Sequence, residues 1–290
     1  MRLFLLTGFC LTLFALNSIL CRAALIIFGM EPFQYIAIRS LSAAGMLAGL
    51  CALHGIRRRD DTQSGVWRQV WDESSWSGAA FLFLYMLCFT LGYVSIDSAT
   101  GTLILNLSVQ AGMVGWGLAR GLRPGGRQTL GLGIAVAGLA ALMSPGLTAP
   151  SPLHALLMAG SGLAWAGYSI CGRRAASASL STAGNFLRCI PAGLALAGLA
   201  LVHEQPACPQ ALLCALAAGA LASALGYILW YAVVPRYSLV ASSIIQLCVP
   251  LITALLAVTL LNETLTLRLV VCSVPILGGI LLALVGPKKA

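Results

Sequence analysis

Charge is scarce in this chain. Of its 290 residues only 9% are Asp, Glu, Lys or Arg, where a soluble domain carries about a quarter. Carboxylates and imidazoles are scarcer still: Glu31, Asp60, Asp61, Asp72, Glu73, Asp97, Glu204, Glu263, His54, His154 and His203 are the full set. Every one of them falls in a polar stretch or at the end of an apolar run, so none stands ready inside an apolar segment as a proton relay. An intramembrane aspartyl protease would need two buried Asp, and a serine protease a buried base for Ser161; both are excluded. No His/Cys/carboxylate group has metal-ligand spacing and no C-x-x-C pair occurs, so neither a metal nor another cofactor is expected. The chain does not read as an enzyme.

What remains is apolar. Hydrophobic residues make up 59% of the chain and its mean hydropathy is +0.94, too much to bury inside one soluble domain. Apolar runs fall near residues 3–21, 32–53, 76–95, 99–119, 128–144, 153–171, 182–202, 210–232, 239–261 and 268–286. Each is near the length of about 20 residues that a helix needs to cross a bilayer. The expected fold class is therefore all-α integral membrane with ten transmembrane helices. The longest polar stretch, His54 to Ser75, is read as a loop, with Trp67, Trp71 and Trp76 as an interfacial anchor. Asp97 is read as the N-cap of the fourth span. Nine of the ten cysteines lie in or beside apolar runs, leaving only Cys208 in a polar loop, so no disulfide framework is expected.

The net charge of +9 fits membrane orientation better than nucleic acid. With the N-terminus inside, the inner segments hold Arg2, Arg57, Arg58, Arg59, Arg68, Arg120, Arg123, Arg127, Arg173, Arg174, Arg236, Lys288 and Lys289, and the outer ones only Arg22 and Arg268. Both termini are thus expected in the cytoplasm, with the protein in the inner (plasma) membrane.

The chain also repeats itself. Leu91-Gly92-Tyr93 returns as Leu225-Gly226-Tyr227, Arg39 aligns with Arg188, and Leu47-Ala48-Gly49-Leu50 with Leu196-Ala197-Gly198-Leu199. Ala15, Ser18, Ile19 and Arg22 match Ala166, Ser169, Ile170 and Arg173, and Gly138 matches Gly278. Five spans per copy force the second copy upside down, an architecture of secondary transporters with the substrate near the midplane. The copies are expected at residues 1–148 and 149–290.

These residues resemble the EamA-type members of the drug/metabolite transporter superfamily. The likeness is carried by Leu163-Ala164-Trp165-Ala166-Gly167-Tyr168, Ala224-Leu225-Gly226-Tyr227 with Trp230, Leu247-Cys248-Val249-Pro250, Asn262-Glu263-Thr264-Leu265 and Gly278-Gly279. The first half departs from the family pattern, with Gln110 where Pro is usual and Arg123 where Glu is usual. The resemblance implies ten helices, alternating access and outward movement of a small metabolite.

Deep polar residues supply the candidate site. Thr102, Asn106 and Gln110 are spaced by four and share a helix face, as do Ser242, Gln246 and Pro250. Asn106, Gln110, Gln246 and Pro250 are read as substrate-binding, against the plainer reading of helix glue. Trp165 and Tyr168 join them as deep aromatics, while Tyr227, Trp230 and Tyr231 read first as an interfacial belt. Arg39 and Arg188, at symmetry-related depths, read first as snorkelling side chains and second as gates. Glu263 reads as a helix-end residue, and Gly45-x-x-x-Gly49 as a helix-packing motif. The expected partners are membrane lipid and a small amphipathic, amino-acid-like substrate, neutral or zwitterionic. Nucleic acid is not among them, and the sequence leaves room for a homodimer. The rival reading from another class is a membrane scaffold or accessory subunit without flux of its own.

Overall fold

The computed structural model describes residues 2–58, 63–121, 125–143, 150–173, 175–201, 206–237, 245–246 and 248–284. Of the residues named above, Arg59, Asp60, Asp61, Arg123, Arg174, His203, Glu204, Ser242, Leu247, Lys288 and Lys289 lie outside them. Every described element is helical. In chain order they are α1 (Arg2–Arg22), continued by a π-helical turn (Ala23–Ile27), α2 (Pro32–Arg58), α3 (Gln63–Glu73), α4 (Trp76–Tyr93), α5 (Ser98–Ala119) and α6 (Gly126–Met143). Then come α7 (Pro152–Gly172), α8 (Ala178–Leu201) and α9 (Pro209–Ala217), which runs through a π-helical stretch (Ala218–Leu225) into α10 (Gly226–Val233). The chain closes with α11 (Cys248–Leu261) and α12 (Leu267–Leu284).

Local chemistry sets many of these limits. Pro32, Pro152 and Pro209 open α2, α7 and α9, where a residue without an N–H costs nothing. Ser75, Ser177 and Thr266 each accept from a backbone N–H three residues on, at 3.0, 3.4 and 3.1 Å, and cap α4, α8 and α12. Asn262 ends α11 in the left-handed region, with φ of 54°. Asp97 stands before α5 but makes no cap bond with its own side chain. Its carboxylate turns instead toward Arg22, and the Ser98 N–H is taken at 2.9 Å by Glu263. The stretch His54–Ser75, expected as a loop, contains the amphipathic helix α3, whose Val70 is buried while Trp71 is half exposed.

Seven of the spans are long and apolar enough to cross a membrane: 3–27, 32–53, 76–93, 98–119, 152–172, 178–200 and 209–236. Three shorter apolar helices, Thr129–Leu142, Cys248–Leu261 and Leu267–Gly279, correspond to the remaining expected spans. Leu156, Leu213, Leu255 and Val274 are more than 60% exposed on helix exteriors, a surface that suits lipid and not water. The protein is a multi-pass helical membrane protein.

Two faces of the bundle can be told apart by contacts. On one, the ends of α1, α4 and α11 meet the start of α5 through Arg22, Tyr93, Glu263 and Ser98. On the other, the start of α1 meets the end of α10 through Thr7 and Tyr237 at 3.1 Å. Glu73 of α3 there receives the Ala176 N–H between α7 and α8 at 2.9 Å. The latter is called the terminal face below, and the former the far face. Between them α4 packs on α7, α2 on α8, α5 on α7, α6 on α12, and α1 on both α11 and the α9–α10 unit.

Candidate functional site

A small cavity lies where α1, α4, α5, α7, α10 and the start of α11 converge. Its volume is about 30 Å³, room for a water or two and no metabolite. Asn106 lies about 12 Å along α5 from Ser98 by helix rise, well inside the bundle. The wall is half polar and half aromatic: Asn17, Ser18, Thr102, Asn106 and Gln246 alternate with Phe14, Tyr85, Phe89, Trp165 and Tyr227.

The aromatic half is a continuous cluster. The Trp165 ring sits 5.4 Å from Phe14, 5.0 Å from Tyr85 and 4.9 Å from Tyr227, within the range of favourable ring pairs. The indole N–H of Trp165 donates to Gln246 Oε1 at 3.3 Å, joining α7 to the segment just before α11. Asn106 Nδ2 donates back to Thr102 O at 2.9 Å, which leaves its carbonyl oxygen facing other neighbours. Asn17 Nδ2 donates to the Tyr85 hydroxyl at 3.2 Å, while Asn17 Oδ1 is buried with no hydrogen-bond partner among the described residues. A buried amide oxygen left this way costs about 1–3 kcal/mol unless a ligand or water satisfies it.

Side-chain contacts flank the cavity toward both faces. Toward the far face, Tyr93 Oη lies 2.8 Å from Thr102 Oγ1 and its ring packs edge-on against Phe89 at 4.7 Å. Above it Arg22 Nε donates to Glu263 Oε1 at 3.2 Å, Nη1 to Tyr93 O at 2.9 Å and Nη2 to Asp97 Oδ1 at 3.4 Å. Glu263 also receives the Ser98 N–H and hydroxyl, so one carboxylate ties three helix ends together. Toward the terminal face, Tyr168 stacks on Tyr231 at 5.0 Å, and the Tyr231 hydroxyl donates to Tyr168 O at 3.0 Å. Gly172 makes room for that ring, since any Cβ there would collide with it.

The sequence-derived residues divide accordingly. Asn106, Trp165 and Gln246 come together in the cavity wall. Gln110 is buried one turn further along α5, Pro250 is buried near the start of α11, and Tyr168 belongs to the closure on the terminal side. Tyr227, Trp230 and Tyr231, expected as an interfacial belt, are each at most 3% exposed. They are interior residues because α10 is enclosed by α1, α8 and the π-helical stretch. Arg39 and Arg188 part company. Arg188 reaches the terminal face, donates to Ser74 Oγ and to Trp71 O at 3.1 Å, and lies over the rings of Trp71 and Trp76. Arg39 is fully buried behind the cavity wall, donating to Ser223 Oγ and Tyr227 Oη at 3.1 and 3.0 Å. Asn17, Phe14, Tyr85 and the Arg22–Glu263 pair were not singled out from sequence. Asn17 could have been found, being the one amide within the first apolar run.

A larger hollow of about 920 Å³ opens at the terminal face between α2, α3 and the start of α8. Leucines and Asp72 and Glu73 line it, at the membrane border and away from the central cavity.

The fold is that of a multi-pass helical membrane protein with a small polar–aromatic cavity inside the bundle. Comparison with known proteins gives the family. The EamA-like transporter family matches residues 153–285. The uncharacterised protein PA1977 of Pseudomonas aeruginosa is 42% identical over 286 residues, covering 98% of this chain and 94% of that protein. One solved crystal structure shares the fold, with a TM-score of 0.62 at 17% identity over 97% of this chain and 96% of its own. The chain belongs to the EamA-like transporter family, a family of transporters and not of enzymes.

Proposed function

We propose that the protein is a secondary transporter of the inner membrane that exports a small amphipathic metabolite by alternating access. In this reading both termini are cytoplasmic, and ten spans form two inverted five-helix repeats over residues 1–148 and 149–290. The substrate is amino-acid-like, neutral or zwitterionic, and a homodimer is compatible with the lipid-facing exterior.

One observation carries the proposal: the central cavity is flanked toward the two faces by contacts of different chemistry. The far closure is ionic, Arg22 with Glu263 and Asp97, and the terminal closure is aromatic, Tyr168 with Tyr231. Charge-assisted bonds of the first kind contribute on the order of 1.5–3 kcal/mol each. Opening is then affordable to substrate binding energy, without any cofactor. Helix pairing supports the repeat. Exchanging the halves maps α1 onto α7, α2 onto α8, α4 onto the α9–α10 unit, α5 onto α11 and α6 onto α12. Under that exchange α2–α8 and α6–α12 map to themselves, α4–α7 becomes the α1–α10 contact, and α5–α7 becomes α1–α11, all of them observed pairs.

The test is counterflow. Purified protein in liposomes loaded with a bacterial metabolite extract should take up labelled metabolite saturably and exchange it against the internal pool. A scaffold or accessory subunit would give liposomes indistinguishable from empty ones, and that outcome would overturn the proposal.

A further inference from the structure

Arg39 is a full positive charge with no counter-charge among the described residues. Its side chain is 0% exposed, about 10 Å along α2 from Pro32 by helix rise, at a depth where ionisable groups are costly. Among the described residues the ion pairs involve Arg22 and Arg68 only, and no carboxylate reaches Arg39. Its guanidinium is held by neutral groups. Nε donates to Ser223 and Nη2 to Tyr227, and the carbon at its centre lies 5.1 Å from the Phe89 ring and 5.6 Å from the Tyr85 ring. Nη1 is buried with no acceptor.

Such an arrangement is not explained by stability. Buried cations are ordinarily paired, and neutral donors and ring faces offset only part of the desolvation cost. An apolar side chain of similar length would fill the same space without that cost. The surroundings are also built to hold the group in place. Ser223 belongs to the π-helical stretch, a rare distortion that concentrates at functional sites. At Gly219 in the same stretch the absence of a Cβ lets the backbone press against Arg39 O.

The guanidinium stands directly behind the cavity. Phe89, Tyr85 and Tyr227 form its wall on one side and touch Arg39 on the other. We propose that Arg39 is the anion-recognition site of the carrier, and that the missing counter-charge is the substrate's own carboxylate. Once the wall of Phe89, Tyr85 and Tyr227 parts to admit substrate, its carboxylate takes Nη1 and replaces the Tyr227 hydroxyl on Nη2, a two-point fork that suits guanidinium geometry. The substrate is then a small carboxylic acid with an apolar body for the Trp165 side. This rests on the transport reading and changes its substrate class from neutral or zwitterionic molecules to carboxylate-bearing ones, zwitterions and anions alike.

The test uses pairs of probes that differ only in the carboxylate: phenylacetate with phenylacetamide, and leucine with leucinamide. Thermal stabilisation of the detergent-purified full chain at millimolar probe is the readout. Acids should stabilise the wild type and amides should not, with at least about a tenfold gap in affinity. Arg39→Gln should erase that discrimination. Arg39→Lys, which keeps the charge and loses the fork, should retain a weaker preference for acids even if the Gln variant fails to fold. Tyr227→Phe should keep acid binding, because the hydroxyl competes with the substrate for Nη2. Equal binding of acids and amides, no stabilisation by any acid, or acid preference surviving in Arg39→Gln would overturn the assignment. Counterflow of the metabolite extract is measured on the same preparation. Flux without acid preference removes the anion site and leaves the carrier standing, whereas absence of all flux removes the carrier.

Discussion

Asn106 and Gln246 are two of the three amides that line the chamber, and their value depends on a difference between polar burial and polar function. Were they only helix glue, replacing them would cost about 0.6–2 kcal/mol of bundle stability and leave transport intact. As chamber walls they hold donors and acceptors against a substrate, and leucine of similar volume removes those without opening a void. Asn106→Leu and Gln246→Leu are expected to insert and fold as wild type by gel filtration, and to lose counterflow almost entirely. Wild-type counterflow in both would show that they are glue. The residue scale was only partly legible in the sequence. Asn106, Trp165 and Gln246 were readable because an amide or indole deep in an apolar run is conspicuous, and they do share one cavity. Asn17 and Tyr85 were overlooked among many apolar neighbours. Tyr227 and Trp230 were placed at the membrane surface because position along a span says nothing about which face of the helix is enclosed. Arg39 and Arg188 looked alike from sequence, equal in depth by symmetry. What separates them is the neighbourhood: Arg188 has two tryptophans and an exit to the surface, and Arg39 has neither.

Helices in this bundle approach one another most closely at glycines that no short motif marks. At Gly162 a Cβ would meet Leu105 O and Ser108 across the α5–α7 contact, and at Gly279 it would meet Gly131 O and the Ala135 backbone across α6–α12. Backbone cannot yield as a flexible side chain can, so the helices themselves must part. Gly45 and Gly49, expected from their spacing to be a packing motif, have open space around both Cβ positions. Spacing places two glycines on one helix face without saying that a partner lies against it. Gly162→Val and Gly279→Val are therefore expected to lower stability by about 1–3 kcal/mol, the usual cost of overpacking. Gly45→Val and Gly49→Val should fall within roughly 0.5 kcal/mol of wild type, as exposed substitutions do. Denaturant titration of the four proteins in one detergent checks the ranking, and a reversed order would be decisive against it. Element existence was well legible, since long apolar runs admit little besides helix. The helix α3 and the π-helical stretches were not, because a polar amphipathic segment reads as loop and a π turn has no local signature.

At the scale of the molecule the bundle has two doors, and they differ in what opens them. Glu263 is central to the far door. It bonds Arg22 and both the amide and the hydroxyl of Ser98, so its loss frees α11 from α1 and from the start of α5 in one step, leaving Arg22 held by Asp97 and Tyr93 O. Under the proposed alternating access that change is directional: weakening one closure shifts the population toward the state open on that side. Glu263→Gln keeps one acceptor oxygen and removes the charge, which should cost the pair with Arg22 about 1.5–3 kcal/mol. A resting equilibrium would then move by roughly ten- to a hundredfold toward the open far face. The measurement is the rate at which a membrane-impermeant thiol reagent reaches a cysteine placed at Asn106, added from one side of right-side-out or inverted vesicles. Labelling from the far face should accelerate in Glu263→Gln, and labelling from the terminal face should slow. The same vesicles fix orientation, because a cysteine at Ser64 should react only from the cytoplasm and one at Asn262 only from outside. Acceleration from both faces together would mean that the mutation loosened the bundle without moving a door. Acceleration from the terminal face alone would mean that the Arg22–Glu263 pair holds the opposite state, and the order of closures would have to be reversed.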